Sequence, residues 1–119
     1  MMCVWRCTPL RVRFGDELDD VPVDRVPILV RDLPGYWIGI HTDVFVKFIT
    51  TQIYLPSDES RPHLGTCFYR REKSVESKFQ LAKQLQYAPN RGYAFAVGKQ
   101  SFHGVNRLQP EEGVRNSIM

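Results

Sequence analysis

Tyr36-Trp37-Ile38-Gly39-Ile40-His41-Thr42-Asp43 is the stretch on which the reading of this chain turns. Tyr36, Ile38 and Ile40 alternate with Trp37, Gly39 and His41, which is the period of an extended strand. Period two puts His41 and Asp43 on one face, Thr42 on the other, and Trp37 on the face of His41. A strand ending in His-x-Asp can aim both side chains at one point, and a third group must then come from elsewhere in the fold. Far downstream, Phe102-His103-Gly104-Val105 supplies a candidate. Two imidazoles and one carboxylate make the donor set of a non-haem Fe(II) site, filling one triangular face of the ion and leaving three positions open.

Outward from that stretch the chain reads as more short strands. Lys47–Leu55 is rich in Ile, Thr, Phe and Tyr. Gly65–Arg70, Tyr93–Val97, Phe102–Asn106 and Val114–Met119 follow, with Val26–Val30 upstream. Phe79–Tyr87 fits a helical and an extended spacing almost equally, and the extended reading is preferred. Arg31-Asp32-Leu33-Pro34-Gly35 and Pro89-Asn90-Arg91-Gly92 read as turns, and Pro56–Leu64 as a polar loop. Many short strands with turns between them predict an all-β jelly roll or barrel. Residues 1–30 are a separate N-terminal segment, apolar and basic to Phe14 and then acidic from Asp16 to Asp24. Residues 31–119 form the core.

Composition narrows the function classes. The 119 residues carry 16 basic and 13 acidic side chains, a net charge of +3. That balance is too mild and too mixed for a nucleic-acid partner, and no basic run is interleaved with aromatics. No apolar stretch approaches membrane-spanning length, and the start lacks the apolar run of a signal peptide. The three cysteines, Cys3, Cys7 and Cys67, have no framework spacing, so they read as reduced thiols of a cytoplasmic protein.

Taken in order, these motifs resemble the 2-oxoglutarate- and Fe(II)-dependent dioxygenases, in the branch that includes prolyl 4-hydroxylase-like enzymes. The resemblance runs through Tyr36…Gly39-Ile40-His41-Thr42-Asp43, Ile53-Tyr54-Leu55-Pro56, Gly65-Thr66, Pro89-Asn90-Arg91-Gly92…Phe95, His103-Gly104-Val105 and Arg115-Asn116-Ser117. It implies a double-stranded β-helix, the cupin-like jelly roll, incomplete at both ends and with its last strand cut short. It implies that His41, Asp43 and His103 bind Fe(II). Arg115 and Ser117 are implied to hold the distal carboxylate of 2-oxoglutarate, with Tyr54 lining the same cofactor pocket. Arg107 is the rival cation, but Arg115 fits the Arg-x-Ser pattern. Trp37 is expected in the wall of the substrate pocket.

The implied activity is hydroxylase-type C–H oxidation coupled to decarboxylation of 2-oxoglutarate to succinate, on a small-molecule or peptidyl substrate. The alternative is a non-catalytic or truncated β-helix binding protein that keeps the metal site. Zinc hydrolysis suits the same donors but gives Arg115 and Ser117 no role, and a cupin metal site lacks its further His and Glu. Strands missing at the ends would leave a sheet edge open to pairing, so a homodimer is expected through it.

Overall fold

The computed structural model describes residue 12 and residues 24–73 and 78–119. Cys3, Cys7 and nearly all of the acidic run from Asp16 lie outside the described residues, as does most of the N-terminal segment 1–30. The chain is mainly β. Among the described residues eight strands follow one another: β1 (Leu29–Asp32), β2 (Ile38–His41), β3 (Ile49–Tyr54), β4 (Cys67–Arg71), β5 (Phe79–Gln84), β6 (Gly92–Ala96), β7 (His103–Val105) and β8 (Arg115–Ile118). Single 3-10 turns at Pro62–Leu64 and Pro110–Glu112 interrupt the loops. No helix among the described residues is long and apolar enough to cross a membrane.

The strands form two antiparallel four-stranded sheets, ordered β1-β8-β3-β6 and β2-β7-β4-β5. β8 lies between β1 and β3, so Arg115 and Ser117 are carried into the middle of the first sheet. β3 shows why the sheets face each other. Thr50, Gln52 and Tyr54 are buried while Thr51 and Ile53 are exposed, the alternation of a strand with one face inward. Rings from both sheets meet between them, with Phe68 of β4 edge-on to Tyr93 and Phe95 of β6.

Two expectations are corrected. Arg31 and Asp32 finish β1 instead of starting a turn; the turn comes at Pro34-Gly35, where Gly35 takes a φ of +89° that an L side chain resists. Strict alternation also fails in β2. Ile38 opposes Val105 and His41 opposes His103, so three steps on β2 match two on β7, and the extra residue is a β-bulge. The bulge falls between Trp37 and His41, inside the run that the strict period covered.

The apolar core is small: Tyr54, Leu64, Tyr87 and Leu108, with Leu85 and Tyr93 packed against them. Asp32, Thr50, Gln52, Thr66, His103, Arg115 and Ser117 are buried beside it. Polar groups are costly to bury unless they are hydrogen-bonded. Among the described residues every buried side-chain nitrogen and oxygen has a partner. An interior this polar and this well satisfied is a site more than a core.

Candidate metal centre

His41 closes β2 and His103 opens β7, directly opposite each other in the ladder. That register brings their rings to 4.4 Å between centroids. The close approach needs Gly104: a Cβ there would sit 2.9 Å from the Ile38 carbonyl oxygen and 3.2 Å from that of Gly39. Asp43, two residues past β2, places Oδ1 4.0 Å from His41 Nε2 and Oδ2 4.0 Å from His103 Nε2. The three donor atoms lie within 4.8 Å of one another.

The ring orientations favour metal binding. His41 Nδ1 lies 2.8 Å from the Gly39 carbonyl oxygen, and His103 Nδ1 lies 2.9 Å from that of Ser101. A carbonyl only accepts, so each Nδ1 carries the proton and each Nε2 keeps its lone pair. Burial holds His103 below the usual imidazole range, which keeps it neutral and able to ligate. Burial alone would raise Asp43. The Thr50 hydroxyl, the Lys47 ammonium and the nearby His103 outweigh it and hold the carboxyl below its usual range. A metal about 2.1 Å from each donor needs the set to contract by roughly 1 Å, within the reach of side-chain motion. The residues present therefore fit a divalent ion.

The carboxylate of Asp43 is two-sided. Oδ2 faces inward and accepts from Thr50, while Oδ1 faces the rim, where Lys47 Nζ stands 3.4 Å away. His103 is buried and His41 is one-third exposed, so the open side of the triad is the side of His41 and Lys47.

A separate polar network lies further along β3. Tyr93 donates to Gln52 Oε1 at 2.6 Å, and Gln52 Nε2 donates to Ser117 Oγ at 2.8 Å. Tyr54 donates to Thr66 Oγ1 at 3.0 Å and accepts from the Thr66 N–H at 2.8 Å. Burial raises both phenols, Tyr93 to about 12. Arg115 lies beyond them and is not a free cation. Its Nε donates to Asp32 Oδ2 at 2.8 Å, its Nη2 stands 2.6 Å from the same oxygen as an ion pair, and its Nη1 donates to the Leu64 carbonyl at 2.9 Å. Asp32 opposes Arg115 in the β1–β8 register. Asp32 and Leu64 thus engage all three guanidinium nitrogens, and each terminal nitrogen carries a second N–H. The donors for a carboxylate remain, but the charge is already met.

Compared with models of protein families, with curated proteins and with solved structures, the chain matches none. Its site must be judged on geometry. His41, Asp43 and His103 come together. Tyr54, Arg115 and Ser117 share one buried interior, and Tyr93 spans the two groups, feeling the charge of both Asp43 and Arg115. Arg107 lies elsewhere, bonded to the Gly35 carbonyl at 2.9 Å and stacked over Trp37. Trp37 lines a cavity of about 280 Å³ with Ile38, Ile40, Tyr69, Val105 and Arg107, and none of the triad borders it.

Sequence reasoning missed Asp32, Thr50, Gln52, Thr66 and Tyr93 as site residues. Thr50, Gln52 and Tyr54 carry a readable signal in their period-two spacing, which puts all three on one face. Asp32 carries none, because its partner is 83 residues away.

Proposed function

We propose that this chain is an Fe(II)- and 2-oxoglutarate-dependent dioxygenase built on a jelly roll. The observation that carries the reading is the facing pair His41 and His103, both with Nε2 free, with Asp43 alongside. The strand orders support the fold assignment, since the chain crosses from one sheet to the other at every step but β4 to β5, as it does in a jelly roll made of two Greek keys. When bound, the iron and the oxo acid would supply the oxidation of a C–H bond and the loss of CO₂. The chain's own residues do the rest. His41, Asp43 and His103 would hold the ion on one face. Thr50 fixes the Asp43 carboxylate. Arg115, through its two remaining N–H groups, and Ser117 and Tyr54, by exchanging internal hydrogen bonds, would orient the distal carboxylate. The closed aromatic wall of Phe68, Tyr93 and Phe95 behind His103 would keep water from that side.

Anaerobic Fe(II) titration followed by a succinate assay tests this. The expected result is one ion per chain and 2-oxoglutarate-dependent succinate release, both lost in Asp43→Ala. A second reading has its own support: a non-catalytic jelly roll that keeps the metal. The neutralised Asp32–Arg115 pair favours it, because the cation expected for the oxo acid is already compensated. Metal uptake with no succinate at any 2-oxoglutarate concentration would select the second reading over the first.

A further inference from the structure

We propose that Lys47 is the mobile counter-cation for an anionic ligand of the metal, and that the site is thereby matched to a dianion. The inference rests on the metal reading above and adds the charge of the ligand. Lys47 Nζ is 3.4 Å from Asp43 Oδ1, the rim-side oxygen, which is also the one nearer His41. The side chain is 43% exposed, so its ammonium can move without disturbing the fold. Oδ2 is held from inside by Thr50. An incoming ion therefore competes with Lys47, not with Thr50, for the carboxylate, and displaces the ammonium toward the open coordination positions.

Charge then decides what completes the site. Arg115 contributes no net charge, because Asp32 compensates it in the same buried space. A divalent ion beside Asp43 leaves one positive charge, and the displaced ammonium adds a second within a few ångströms. Without an anion the two cations repel and the metal is held weakly. A dianion on the ion relieves that repulsion, so metal and anion bind cooperatively, each tightening the other by the same factor. A ligand with a single negative charge leaves one cation unmatched.

Co(II), a redox-stable stand-in for iron, is titrated into the whole protein, and oxalate or 2-oxoglutarate is then titrated into the Co(II) form. Oxalate is a dianion too short to reach from the metal to Arg115. Lys47→Met should tighten Co(II) alone by about 3-fold or more and weaken both dianions about 10-fold, while Lys47→Arg stays near the parent. Opposite movement of the two affinities is a signature that simple damage to the site would not give. Affinities that stay put, or that fall together, overturn the proposal. Loss of 2-oxoglutarate binding with oxalate unchanged also overturns it, by assigning the anion's charge to the Arg115 end. If the parent protein takes up no Co(II), the metal reading itself falls; if it takes up Co(II) but neither dianion, the metal reading stands while the role of Lys47 and the use of 2-oxoglutarate both fall.

Discussion

At the scale of single residues, the Asp32–Arg115 pair governs stability. Both side chains are 4% exposed, and each is the other's only charged partner among the described contacts. Asp32→Asn or Arg115→Met alone should cost about 3–5 kcal/mol, because either leaves a buried charge unpaired, and the double variant should recover much of that loss. Urea denaturation of the three proteins checks it. Tyr93 gives a pH prediction. Its phenol is raised to about 12 from an ordinary 10, chiefly by burial. The folded chain then holds that proton more tightly than the unfolded chain, so the contribution is intact below pH 10 and is lost as pH rises toward 12. Tyr93→Phe should flatten this alkaline limb, read as urea midpoint against pH. His41, Asp43 and His103 were legible because a metal demands particular side chains at a strand's spacing. Asp32 was not, because what makes it matter is a register between the first strand and the last.

Among the elements, β2 carries the most information per residue. Its alternation revealed a strand, but the bulge between Ile38 and His41 did not show in the sequence. The bulge works only with Gly104 opposite it. Gly104→Ala must push β7 away from the Ile38 and Gly39 carbonyls. The expected loss is about 1–3 kcal/mol in urea, with Co(II) affinity falling as the two imidazoles separate. β5 was ambiguous for a different reason. Gln80, Leu81, Ala82 and Lys83 are all exposed in a strand at the sheet's edge, so no buried face imposes a period on the sequence. β2 is the opposite edge of that sheet, and its Ile38 and Ile40 carry no charge to discourage pairing.

For the whole molecule, a small apolar cluster lies beside a set of buried polar groups, so a bound ion should matter to stability. At 100 times its dissociation constant a ligand adds about 2.7 kcal/mol. In a domain of this size that is a rise of roughly 10 °C in Tm. Differential scanning calorimetry with and without Co(II) should show that rise in the parent and none in Asp43→Ala. The mainly β character was legible from the regular recurrence of short strands and turns; the order of strands within each sheet was not, since it depends on pairings between distant segments. One such pairing has a kinetic consequence. β1 and β8 hydrogen-bond along their length, and the ladder runs on to Ile28 and Met119, while β8 also pairs with β3. On a ribosome, the first sheet would wait with a gap at its centre until positions 115–118 emerged. Refolding should be correspondingly slow, in the millisecond-to-second range of chains closed by distant contacts. The Arg115 guanidinium would arrive only after the seven strands before it, and until then Asp32 would face an open slot.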